Sequence, residues 1–201
     1  MARITGDRNL IAPVEHAWND IVANHLYVTG SASVGEHFRE PHDLPNDVGS
    51  SIGETCVTTT WIQLCLQLLR LSGDARYGNE LERTFYNHLT AAQHPQGDDW
   101  CYYTPLEGVK PYDSRINCCH SSGPRGLALS VQAAYFKTRQ NESDALVVST
   151  FESSRATLGL NGRKVIVEQT SQFPHQGRSE LVVQVDEPAT FGILIRSPAW
   201  A

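Results

Sequence analysis

The chain has 201 residues, 40% of them hydrophobic, enough for one full domain or two small ones with a buried core. Its formal net charge of -6, with no local Lys/Arg cluster to offset it, removes the electrostatic basis for binding nucleic acid or an anionic membrane surface. No run of about 18 apolar residues occurs, and Met1 to Asp7 holds no continuous apolar stretch, so a soluble, cytoplasmic chain without a secretion signal is expected.

In chain order, Ile4-Thr5-Gly6-Asp7 precedes apolar positions at Leu10, Val14 and Trp18, the spacing of one helix face. Residues 29–53 are rich in Gly, Ser, Pro, Asn and Asp and read as a long irregular loop, a kind of segment that often carries function. Residues 54–71 then place Val57, Trp61, Leu64, Cys65, Leu68 and Leu71 three and four apart, which predicts an amphipathic helix ended by Ser72-Gly73. Asp74 is a candidate N-cap for a second stripe, Tyr77, Leu81, Phe85, Leu89 and Ala92.

These two stretches repeat one another. Moving Ile4-Thr5-Gly6-Asp7 with Leu10, Val14, Glu15 and Trp18 along the chain superposes them on Leu71-Ser72-Gly73-Asp74 with Tyr77, Leu81, Glu82 and Phe85. Repeated helical hairpins bury their apolar faces only against neighbours, so a larger solenoid or closed helical toroid is expected; the alternative is chance similarity of two amphipathic helices joined by common Gly-Asp turns.

A second irregular stretch, residues 94–124, holds Trp100, Tyr102, Tyr103 and the adjacent Cys118-Cys119, and a last helix is predicted over roughly 123–137 with Leu127, Val131 and Ala134 buried. From residue 145 the pattern turns to strands at 145–151, 156–160, 164–170, 181–185 and 190–196. Asn161-Gly162 between two of them marks a type I′ hairpin turn, since that turn needs positive φ at both central residues.

The thiols are the least ordinary feature. Five cysteines, two of them adjacent, do not read as a disulfide framework, and reduced thiols are expected. Cys118, Cys119 and Cys56 would form a soft anionic trio suited to Zn²⁺, with Glu54 as a carboxylate fourth ligand. The spacing is not that of a zinc finger, and Cys56, like Cys65, reads equally as a small buried hydrophobe. A thiol just before a helix is also acidified by the helix N-terminus and can act as a nucleophile. An acid to protonate a departing sugar oxygen would come from Glu36, Glu40, Asp43 or Asp47, among which pattern alone does not choose. The eight histidines are scattered and read individually as structural, while Trp100, Tyr102 and Tyr103 could stack on a sugar or belong to the core.

Taken in order, Tyr27-Val28-Thr29-Gly30, Gly35-Glu36-His37-Phe38, Asp43-Leu44-Pro45-Asn46, Glu54-Thr55-Cys56, Tyr102-Tyr103-Thr104-Pro105-Leu106, Cys118-Cys119 and Ile195-Arg196-Ser197-Pro198-Ala199-Trp200 resemble glycoside hydrolase family 127, the β-L-arabinofuranosidase family. The resemblance implies a mainly α fold, residues 1–140 being part of an (α/α)6 barrel, followed in residues 141–201 by the start of an antiparallel β-sandwich. It implies a retaining glycoside hydrolase in which Cys118 is the nucleophile and Glu36 the general acid/base. Glu54, Cys56, Cys118 and Cys119 would then bind Zn²⁺, and Tyr102 would contact the sugar. The family's enzymes are considerably longer, and here the cysteine pair is followed by His120-Ser121-Ser122-Gly123-Pro124-Arg125 rather than a double proline.

The expected partner is a carbohydrate substrate, with neither nucleic acid nor membrane, and exposed helix faces leave room for a homo-oligomer. The alternative is a truncated, inactive or carbohydrate-binding relative whose zinc site is structural.

Overall fold

The computed structural model describes residues 2–112 and 115–200. The chain divides into two compact units, Met1–Leu129 and Ser130–Ala201. The ends of the two expected domains, Met1 and Ala201, lie outside the described residues. Among the described residues no helix is long and apolar enough to cross a membrane.

The first unit is helical: α1 (Ala2–Thr5), a 3-10 turn at Arg8–Leu10, α2 (Ala12–Asn24), α3 (Thr55–Ser72), α4 (Ala75–Thr84), a π-helical turn at Phe85–Leu89, α5 (Thr90–Ala92) and α6 (Cys118–Val131). Both Gly-Asp turns of the repeat fold alike. Gly6 and Gly73 each take φ of +72°, where a side chain would be strained. Asp7 and Asp74 each accept a hydrogen bond from the amide two residues on, at 2.9 Å, and donate their own amides to Thr5 and Ser72 hydroxyls. The helices that follow meet at Trp18. Its ring stacks on Trp61 and meets Tyr77 edge-on, while its indole N–H donates to Cys65 Sγ at 3.3 Å. Cys65 is therefore a core thiol that completes helix packing.

The predicted stripe of α4 and its continuation is buried at all five positions, Tyr77, Leu81, Phe85, Leu89 and Ala92. The corresponding Leu10 and Val14 of the first copy are exposed. On α3 the buried face is shifted from its predicted stripe: Trp61, Cys65 and Leu68 are buried, Val57, Leu64 and Leu71 are half-buried, and Thr58, Thr59, Ile62, Leu66 and Leu69 are buried as well.

The last helix differs from expectation. It starts at Cys118, five residues before the predicted 123, with Pro124 inside it, and it stops at Val131. Residues 135–140, read as helix in part, form a strand instead. The second unit holds β1 (Tyr135–Gln140), β2 (Ser143–Val148), β3 (Ser154–Leu160), β4 (Arg163–Ser171), β5 (Ser179–Val185) and β6 (Gly192–Ile195). They form two three-stranded sheets, β1-β2-β6 and β3-β4-β5. All neighbours are antiparallel except β2 and β6, which run parallel, a departure from a purely antiparallel layout. Leu146, Val148, Leu160, Val165 and Val167 from both sheets share one core. Asn161-Gly162 takes the positive φ pair expected of its hairpin, 49° and 77°.

Candidate active site

The long loop before α3 is ordered by its two ends. Ser31, Ala32 and Ser33 are buried. Ser33 accepts from Gly53 N with its carbonyl at 3.1 Å and from Glu54 N with its hydroxyl at 3.2 Å, which fixes Glu54 where it enters α3. Behind this junction lies His88, 1% exposed, with Nδ1 at 2.7 Å from Thr29 Oγ1 and Nε2 at 3.0 Å from Gly53 O. A carbonyl only accepts, so Nε2 carries the hydrogen and Nδ1 takes the threonine proton. The neutral ring is thus a strut between the two ends of the loop, and burial holds its pKa down at about 4.

Within the loop, Val34 and His37 pair as a tight hairpin whose two tip residues, Gly35 and Glu36, have φ of +54° and +71°. A non-glycine residue held there is uncommon and costs free energy, so the turn presents Glu36 at the expense of local stability. The exposed Glu36 carboxylate accepts a short hydrogen bond from the Tyr102 hydroxyl. Tyr102 itself is anchored through its backbone, its carbonyl accepting from Thr55 N at 3.1 Å beside a Thr55 hydroxyl bond to Cys101 O at 2.7 Å.

Across from these, α6 brings in the cysteine pair. Asn117 Oδ1 accepts from Cys119 N at 2.9 Å and closes the first turn, as an N-cap does. Cys119 Sγ then lies 3.7 Å from Cys56 Sγ, 4.0 Å from Cys118 Sγ and 3.9 Å from Glu54 Oε1, and Cys118 Sγ lies 4.0 Å from the same carboxylate oxygen. All four donor atoms fall within 4.8 Å of one another. A tetrahedral zinc ion bound at the usual Zn–S length separates its sulfurs by about 3.8 Å, so this spacing fits such an ion and no other element need move far to receive it. Three thiols and one carboxylate are also the soft donor set that zinc takes. Cys118 is exposed and reaches the Tyr102 hydroxyl at 3.7 Å, whereas Cys119 is buried.

Electrostatics point the same way. Burial pushes the Cys56 thiol up to about 11, partly opposed by the Ser122 hydroxyl at 3.1 Å. Cys119 and the Glu54 carboxyl are also raised, burial again being the largest cause. Several acids packed together disfavour each other's anions, and a cation among them reverses that preference. The Tyr102 phenol is raised by its bond to Glu36 first and Cys118 second, so it keeps its proton and acts as a donor.

Of the four acids the loop offered, Glu36 alone is brought beside the thiols; Asp43 forms a surface ion pair with Arg39 at 2.6 Å, and Glu40 and Asp47 are exposed. Trp100 is a core residue, 4% exposed, packed where a Cβ on Gly123 would overlap its ring. Sequence reasoning missed Asn117, Ser122 and His88. Asn117 is a good N-cap residue directly before the cysteine pair, but Gly123-Pro124 drew the predicted helix start past it. The role of His88 has no local signal, since its partners lie 35 and 59 residues away.

Comparison with known proteins shows the family and the fold. Residues 1–130 match the family profile described as β-L-arabinofuranosidase, GH127 catalytic domain, and residues 145–201 match that of the GH127 middle domain. A non-reducing end β-L-arabinofuranosidase from Bifidobacterium longum is 30% identical over 224 residues, covering 100% of this chain and 33% of that protein. The crystal structure of a GH127 β-L-arabinofuranosidase from Geobacillus stearothermophilus T6 superposes with a TM-score of 0.87 at 27% identity, covering 99% of this chain and 33% of the other. A second solved structure, a GH127 β-arabinofuranosidase, gives 0.83 at 28% identity over 99% of this chain and 31% of its own. The chain spans about a third of the length of the curated relative it matches. By these matches across both of its units, the chain belongs to the GH127 β-L-arabinofuranosidase family.

Proposed function

We propose that this chain carries the reacting residues of a retaining glycoside hydrolase acting on β-L-arabinofuranosides or related sugars, its helical unit being part of an (α/α)6 barrel and its sheets part of a β-sandwich. The single observation that supports this reading is the Tyr102 hydroxyl, in contact at once with Glu36 and with the exposed member of the thiol cluster, Cys118. A nucleophile and a proton donor that contact one and the same hydroxyl can face a single sugar carbon together.

The steps balance when they start from Cys118 as the thiolate and Glu36 as the protonated acid. Cys118 Sγ forms a bond to the anomeric carbon as the glycosidic C–O bond breaks, and Glu36 gives its proton to the leaving oxygen. Glu36 then takes a proton from water, whose oxygen bonds to the same carbon as the C–S bond breaks; two inversions give net retention. The Tyr102 hydroxyl donates to the Glu36 carboxylate and accepts from the Cys118 thiol, so it orients both. Glu54, Cys56, Cys118 and Cys119 would hold Zn²⁺, which when bound would keep sulfur deprotonated at neutral pH and ease its departure. Five free cysteines suit a reducing, cytoplasm-like compartment.

The test is release of nitrophenol from 4-nitrophenyl β-L-arabinofuranoside by the zinc-loaded chain, with the anomer formed first read by NMR. Retention, with loss of turnover in Glu36→Gln and Cys118→Ser, is the expected result. The open position of Glu36 and Cys118 favours a second reading, a carbohydrate-binding relative with structural zinc. Zinc-loaded protein that binds arabinofuranosides and releases no nitrophenol would establish that one instead.

A further inference from the structure

Cys118 and Cys119 open α6, so their sulfurs are placed only as well as that helix's first turn is placed. One residue beyond Cys119, His120 Nε2 lies 2.7 Å from Asp99 Oδ1, and each side chain is 19% exposed. The same Asp99 oxygen accepts from Trp100 N at 2.6 Å. His120 Nδ1 is buried and has no partner among the described residues, which leaves Asp99 as the contact that orients the ring. The Trp100 side chain then packs flush on Gly123, one turn further along α6.

Asp99 and Trp100 belong to the strip that ends in Tyr102. That strip is held by Cys101 N donating to Ala92 O at 2.8 Å and by the two Thr55 bonds to Cys101 and Tyr102 carbonyls. It is therefore tied to α3, whose N-cap is Glu54 and whose first turn holds Cys56, and α6 meets this frame through Asp99–His120, through Trp100 on Gly123 and through Thr59 Oγ1 donating to Ser122 O at 2.9 Å. Asp99 stands three residues from Tyr102 and His120 one residue from Cys119.

The geometry points to Asp99 and His120 as a positioning pair that sets how far the α6 thiols stand from Glu54, Cys56 and Tyr102. The pair touches neither sugar nor cation and acts through helix placement. This inference rests on the metal reading above and deepens it. Its chemistry is that of a carboxylate–imidazole contact fixing the backbone next to a ligand; loss of such outer contacts weakens metal binding about 10- to 100-fold. A role in local folding alone would lower stability and leave the cation's surroundings as they were.

Co²⁺ is the probe, because its visible bands and its sulfur-to-metal absorption report the number and geometry of thiolate ligands. Dissociation constants and spectra are measured at 25 °C for the parent chain and for His120→Gln, His120→Leu and the double variant Asp99→Leu/His120→Leu. Glutamine keeps a donor near the Nε2 position and should bind Co²⁺ within about threefold of the parent, with the parent's bands. The leucine variants should bind about 10- to 100-fold more weakly with shifted bands. The double variant replaces the pair with an apolar contact that need not destabilise the fold, so it remains readable if the single leucine variant fails to fold. Unchanged affinity and bands in a folded leucine variant would overturn the inference, whatever its melting temperature. A parent chain that takes up no Co²⁺ would instead contradict the metal reading itself.

Discussion

Loading zinc should expel protons in a number that the burial of the cluster dictates. Cys56 is held at about 11, so at pH 7.5 about one such thiol in three thousand is ionised. Cys119 is raised above its ordinary 9.0 as well, and both must be thiolates to ligate. Binding at that pH therefore releases at least two protons. Each proton makes affinity tenfold more favourable per pH unit, so the dissociation constant should fall at least about 100-fold between pH 7 and pH 8, about 2.7 kcal/mol. Calorimetric titration in buffers of different ionisation enthalpy counts the protons directly, and Cys56→Ser should lower the count by one. Release of fewer than two protons by the parent, or an unchanged count in Cys56→Ser, would show that the two buried cysteines are not both ligands.

Other perturbations probe the supports of the site. In Gly53→Ala a side chain would be forced into φ of +59° and into the His88 ring, so a loss of about 3 kcal/mol or more is expected by urea unfolding, with weaker zinc binding because Glu54 is the next residue. His88 is lowered from 6.5 to about 4, so the unfolded chain takes its proton first as pH falls: the stability it contributes is complete above pH 6.5 and is lost towards pH 4, about 3 kcal/mol in all. Urea midpoints from pH 7 to 4 should show that slope, and His88→Gln should flatten it; equal slopes would contradict the strut. Cys118→Ser should keep the helical circular dichroism and lose at least about a thousandfold in turnover if Cys118, the exposed thiol of the cluster, is the nucleophile proposed above.

Much of this architecture could be read from residue order, and the misses share a cause. Gly-Asp turns and the Tyr77-to-Ala92 stripe are local patterns, and both appear as predicted, down to the Asp74 cap. Asn161-Gly162 likewise announces its own hairpin. Residues 135–140 misled because the turn that pairs them with β2, Asn141-Glu142, reaches positive φ without a glycine. The start of α6 was hidden because Gly123-Pro124 mimics a helix boundary, while Gly123 is in fact small to admit Trp100. Among the site residues, the four candidate ligands are legible as residue types, yet what gathers them is not local: Glu54 and the cysteine pair meet across 64 and 65 positions. Glu36 stood out from three other acids only through family resemblance, and its strained hairpin is what sets it apart physically.

Three sulfurs and one carboxylate are expected to close around a single cation. X-ray absorption at the zinc edge of the loaded chain tests this most directly. About three sulfurs at 2.3 Å and one oxygen at about 2.0 Å per zinc are predicted, falling to two sulfurs in Cys56→Ser. A first shell of nitrogen and oxygen with no more than one sulfur would rule out the Glu54, Cys56, Cys118 and Cys119 ligand set.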